Sequence, residues 1–286
     1  MKTRINTALA TAIARAEAGA PPKLGAALRY SVFPGGARIR PQLCLAVAAA
    51  CGDDAPALAD AAACSLEFLH CASLVHDDLP CFDDAALRRG KPSVHALFGE
   101  PLAVLTGDAL IILAFETLAR AGAGAPDRLT PLLMTLARAG GSPFGLVAGQ
   151  AWESEPTVPL AEYHQAKTGS LFMAATMAGA IAAGRDPLPF RAMGERLGEA
   201  YQVADDLLDA LCDEKEAGKP TGQDQALDRP NAVAELGVNG AVARLRGLVK
   251  DAVESVPECP GAGPLKALAL MMADRLVPEP FKQAAA

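Results

Sequence analysis

The chain has 286 residues, 51% of them hydrophobic and 5% aromatic, which is ample for a large buried core and suits packed helices better than a β-sandwich. A formal net charge of −7 argues against nucleic-acid binding, because affinity for phosphate backbones comes from clustered Lys and Arg. The cysteines (Cys44, Cys51, Cys64, Cys71, Cys81, Cys212 and Cys259) form no C-x-x-C pair, which speaks against zinc and for reduced core thiols in a cytoplasmic protein.

Lys2 and Arg4 precede the apolar stretch Ala8–Ala14, but Arg15 and Glu17 interrupt it too early for a signal peptide, so an amphipathic helix is expected. Helical periodicity then predicts helices over roughly 3–18, 22–32, 39–51, 56–78, 93–121, 128–140, 160–184, 190–212, 239–255 and 264–276. No stretch alternates with period two, so the fold class is all-α, a helix bundle around a central cavity. Elsewhere the longest apolar run, Leu171–Ala183, is shorter than the ~20 residues of a membrane span, and no transmembrane segment is expected. Gly- and Pro-rich breaks are short turns rather than linkers, which predicts one domain over residues 1–286.

Two acidic groups stand out. Ser73–Gly90 reads SLVHDDLPCFDDAALRRG: Asp77 and Asp78 end an apolar helix, Pro80 turns the chain, and Asp83 can fold back beside Asp77. Carboxylates this close repel, and a helix C-terminus makes the repulsion worse. Hard divalent cations, Mg²⁺ above all, resolve it and bring phosphate oxygens as further ligands. Arg88 and Arg89 follow and suit bidentate phosphate contact. Further on, YQVADDLLD places Gln202, Asp205 and Asp209 along one helix face, with Asp206 turned about 100° away. Either group alone reads equally as a solvated charged turn or helix end. Together they imply a shared cavity holding magnesium and diphosphate.

These residues resemble the trans-isoprenyl diphosphate synthase family, and within it most closely the bacterial geranylgeranyl diphosphate synthases. Asp77-Asp78-x4-Asp83 and Asp205-Asp206-x-x-Asp209 resemble its two aspartate-rich motifs. Gly35–Pro41 (GGARIRP) resembles the isopentenyl diphosphate-binding segment, with Ala37 where the family usually has Lys. YHQAKTGSL resembles its K-T-G element, Gly149-Gln150 a G-Q pair, and Gly218-Lys219 with Gly222-x-Asp224 its G-K-x-x-G-x-D segment; Arg229 keeps the charge of a later lysine.

The resemblance implies an all-α prenyltransferase that joins isopentenyl diphosphate to dimethylallyl, geranyl or farnesyl diphosphate, acting as a homodimer with about three Mg²⁺ ions per site. It implies Asp77, Asp78, Asp83, Asp205, Asp206 and Asp209 as metal ligands. Arg88, Lys167 and Lys219 would contact the allylic diphosphate, and Arg229 would bind substrate. Gly36, Arg38, Arg40, His70 and Arg89 would hold isopentenyl diphosphate. Thr168, Gln202 and the Lys167 carbonyl would steady the allylic cation. His76 reads as structural. Ala72, Ser73 and Phe68, deeper along the first acidic helix, would set product length, alanine at 72 favouring C20 over C15. A non-catalytic partner subunit and a terpene cyclase are the alternatives.

Overall fold

The computed structural model describes residues 1–33, 35–211 and 231–274. The elements in order are α1 (Lys2–Glu17), α2 (Pro22–Val32), α3 (Ile39–Ala50), α4 (Pro56–Asp77), β1 (Leu87–Arg88), β2 (Lys91–Pro92), α5 (Val94–Phe98), α6 (Glu100–Gly122), α7 (Pro126–Gly140), α8 (Leu146–Ala151), α9 (Leu160–His164), a π-turn (Gln165–Gly169), α10 (Ser170–Ala182), α11 (Arg191–Leu211), α12 (Ala232–Glu254) and α13 (Ala262–Asp274). The all-α expectation holds. Among the described residues the only strands are β1 and β2, a two-residue antiparallel ribbon.

Proline sets several helix starts. It stands in the first turn of α2, α4, α6 and α7, where its missing N–H costs nothing and its fixed φ is already helical. The expected helix over 93–121 is two helices, because Gly99 takes φ 87° between α5 and α6. The stretch expected as one helix over 160–184 instead contains the π-turn, one residue wider than the α-ladder. α12 begins seven residues earlier than expected; Gly237, at φ 65°, kinks it and interrupts the apolar period.

The core forms around α10, which packs against α3, α4, α7 and α11, while α4 lies along α6. α4 is buried along most of its length, Phe68 and Leu66 included, each large side chain contributing about 2 kcal/mol by leaving water. Ser65 donates from α4 to the Ala114 carbonyl of α6 (2.6 Å), so the two helices lie close. A second apolar cluster (Val203, Leu207, Leu245, Leu248) holds α11 against α12. Both acidic groups therefore sit on core helices, each toward its helix's C-terminal end.

Candidate active site

The first acidic group takes the expected form. α4 ends at Asp77, and the chain folds back so that the Asp83 N–H donates to the Asp77 carbonyl (3.0 Å). Asp77 and Asp83 have a neighbour the sequence reading missed. Glu153 lies just beyond α8, and one carboxylate oxygen from each of the three falls within 4.8 Å of the others. Its signal is an acid one turn after Gln150. Gln150 itself donates to Asp77 (2.6 Å).

The Lys167 ammonium joins this group, paired to Glu153 and 3.8 Å from Asp77, and Tyr163 also donates to Glu153. Gly149 makes the arrangement possible: a Cβ there would lie 2.2 Å from the Lys167 backbone nitrogen, so only glycine lets α8 meet the π-turn. Burial pushes the Asp77 carboxyl above its ordinary range, with Asp83 adding to the effect and Lys167 opposing it. Three carboxylates thus share one small volume with the Lys167 ammonium. Clustered hard oxygens short of a cation suit Mg²⁺.

Asp78 is placed differently from its neighbours. It is 2% exposed and bound to the Arg88 guanidinium, whose Nε donates to it at 2.9 Å. Arg88 is thereby held at the rim of the acidic group, 4.0 Å from Asp77.

Beside this group is a basic cluster. Arg40 is buried, its guanidinium 4.7 Å from the centre of the Phe172 ring and 5.6 Å from that of Tyr201. Burial lowers its pKa, and the ring faces favour its charge. Burial and four neighbouring arginines, Arg40 first, keep His70 well below its ordinary pKa, so it is neutral at pH 7. Arg89 lies over Gly36, where a Cβ would come within 2.7 Å of its guanidinium. Arg38, one of the four, is committed to a protein partner. Its φ of 55° turns it inward, where it pairs with buried Glu67 and donates to the Val32 carbonyl (2.6 Å).

The second acidic group lies on α11, with Asp205 and Asp209 half-buried. Gln202, one turn earlier, accepts from the Thr168 hydroxyl (2.8 Å). Asp206 is 2% exposed, and its oxygens accept from the Gln202 amide (2.9 Å) and the Ala232 N–H (2.8 Å). Lys219 and Arg229 lie outside the described residues. His76 rests on Gly107, where a Cβ would fall 2.0 Å from its ring, in keeping with a packing role. Ala72 and Phe68 are fully buried on α4 and Ser73 half-buried.

The sequence profile of the polyprenyl synthetase family matches residues 21–262. The chain is 58% identical over 276 residues to the geranylgeranyl diphosphate synthase of Cereibacter sphaeroides, covering 96% of each. Its fold is similar to a farnesyl/geranylfarnesyl diphosphate synthase structure from Zymomonas mobilis (TM-score 0.79, 32% identity, 97% of this chain and 100% of that one). It is also similar to a Helicobacter pylori geranyltransferase complexed with magnesium and isoprenyl diphosphate (TM-score 0.77, 34% identity, 88% and 87% covered). A profile match running from the start of α2 to the start of α13, over a bundle whose core helices carry both acidic groups, makes this chain a trans-prenyltransferase of the polyprenyl synthetase family.

Proposed function

We propose that the chain condenses isopentenyl diphosphate with dimethylallyl, geranyl or farnesyl diphosphate and releases geranylgeranyl diphosphate, C20. The observation that carries this reading is the adjacent pair Lys167–Thr168. The ammonium of Lys167 is tied to the first acidic group, and the hydroxyl of Thr168 to Gln202 beside the second. Adjacent residues thus link the two acidic helices, which supports one shared site.

Asp77, Asp83, Glu153, Asp205 and Asp209 would hold magnesium, three ions in our reading, and bound Mg²⁺ would supply Lewis-acid neutralisation of the leaving diphosphate. Arg88, positioned by Asp78, and Lys167 clamp the same group. The C1–O bond of the allylic substrate breaks, and its electron pair leaves with the diphosphate. The Thr168 oxygen, the Lys167 carbonyl and Gln202 face the resulting cation with the negative ends of their dipoles. Arg40, Arg89 and neutral His70 hold isopentenyl diphosphate so that its double bond attacks C1. A proton then leaves C2 of the isopentenyl unit, and the released diphosphate accepts it.

The growing tail runs along α4 past Ala72, whose small side chain keeps the path open, toward Phe68. We place the enzyme in the cytoplasm, as a homodimer. Incubation with isopentenyl and farnesyl diphosphates plus Mg²⁺, followed by product chromatography, tests the reading. A C20 product is expected, and Ala72→Tyr should shift the distribution toward C15. A C15 end product from the wild-type chain would make it a farnesyl diphosphate synthase. No condensation from any allylic starter would make it a partner subunit.

A further inference from the structure

The Thr168–Gln202 contact does not end at Gln202. The Thr168 hydroxyl donates to Gln202 Oε1 at 2.8 Å, Gln202 Nε2 donates to Asp206 Oδ1 at 2.9 Å, and the Ala232 N–H donates to Asp206 Oδ2 at 2.8 Å. Asp206 is 2% exposed and Thr168 8%. Each link has a direction. An ionised carboxylate accepts and cannot donate, so the Gln202 amide must turn its NH₂ toward Asp206 and its carbonyl toward Thr168. That carbonyl can only accept, so the Thr168 proton must point at Gln202.

A helical threonine otherwise bonds back to a carbonyl one turn earlier. In the π-turn Thr168 bonds across to α11 instead. Its proton is thereby committed to Gln202.

We propose that Asp206 is a positioning residue that sets the polarity of this relay, so that the Thr168 oxygen presents lone pairs, and not its proton, to the carbocation. Resting on the function proposed above, this gives Asp206 a task different from that of Asp205 and Asp209. It also explains why a second carboxylate beside Asp205 is buried facing away from them. The Ala232 N–H ties the relay to the start of α12, which fixes Asp206 from its far side.

The isosteric variant Asp206→Asn tests the polarity. The Ala232 N–H still demands an acceptor, so the oxygen of the introduced amide must face it and the NH₂ must face Gln202. The Gln202 amide then flips, its NH₂ donates to Thr168, and the hydroxyl proton is released from Gln202. Loss of one oriented dipole at a developing charge should lower kcat on the order of 10- to 100-fold, with KM for both substrates within about twofold. Gln202→Glu should also lose activity, because it sets two carboxylates against each other. In the double variant Asp206→Asn/Gln202→Glu, the amide at position 206 donates to the carboxylate at position 202, which again accepts from Thr168. There kcat should return to within a fewfold of wild type. A residue that merely fills space would give losses that multiply.

Calorimetric titration with Mg²⁺ and inorganic diphosphate should show the same affinity in Asp206→Asn as in wild type. Three results overturn the proposal: undiminished kcat in Asp206→Asn, multiplying losses in the double variant, or Mg²⁺ affinity weakened tenfold or more, which would make Asp206 a metal ligand. Each presupposes a wild-type chain that turns over. An inactive wild-type chain would instead defeat the underlying function, and this inference with it.

Discussion

Ala37 sits exposed on the loop beside Arg40 and Arg89, where the family resemblance sets a lysine. The loop keeps two fixed arginine contacts with its surroundings, Arg38 to Glu67 and Arg89 over Gly36, but lacks a long flexible cation. A lysine there would add a charge-assisted hydrogen bond to the isopentenyl diphosphate, part of it lost to solvent exposure. We expect Ala37→Lys to lower KM for isopentenyl diphosphate several-fold and leave kcat nearly unchanged, measured with that substrate varied at saturating farnesyl diphosphate. An unchanged KM would remove this loop from the substrate contact. Sequence reading treats Arg38 and Arg40 as equals, since both are arginines of one motif. Both are buried, and their partners separate them: the left-handed turn at Arg38 aims it at Glu67, an acid 29 residues downstream that no local pattern connects to it, while Arg40 lies over the Phe172 ring.

That ion pair is also the link between two elements. Arg38 and Glu67 are 3% and 2% exposed, so the loop before α3 is fastened to the middle of α4, the helix that ends in Asp77. Removing one partner of a buried pair strands the other charge away from water, which costs about 3–5 kcal/mol, whereas replacing both by apolar groups is often close to neutral. Arg38→Met should therefore lower unfolding free energy in urea at pH 7 by about that amount, and Arg38→Met/Glu67→Leu should recover most of it. Equal losses in single and double variants would mean that the pair is not the fastening. Elements of this size were legible where period and punctuation agree: α2, α3, α4 and α11 begin and end within a residue of expectation because proline starts them or an apolar stripe runs unbroken. α8 was missed because six residues are too few to show a period, and Glu153 beyond it went with it. The asymmetry within the Asp205–Asp206 pair was legible as an angle on the helix. The partner that gives it meaning, the Ala232 N–H, is 26 residues further along the chain, where no local pattern points to it.

At the scale of the molecule, two helices among the described residues are long and apolar enough to cross a membrane, and burial distinguishes them. α4 is 78% buried in that window and is a core helix, while α6 is only 39% buried and turns Val104, Leu105 and Ile112 outward. A row of large apolar groups on one helix face asks for a partner. Asp108 sits in the same row, which would be costly against lipid hydrocarbon, and the chain's negative charge disfavours an anionic membrane surface. A second copy fits better: about a two-fold axis the same stripe covers itself. A dimer built this way would place an α6 from each protomer back to back, each lying against its own α4. Ile112→Glu, which sets a charge at the most exposed point of the stripe, should then convert a dimer into a monomer by light scattering at micromolar concentration, with the helical circular dichroism retained. A wild-type chain that runs as a monomer, or one that floats with phosphatidylcholine vesicles through this face, would show that the stripe serves another purpose.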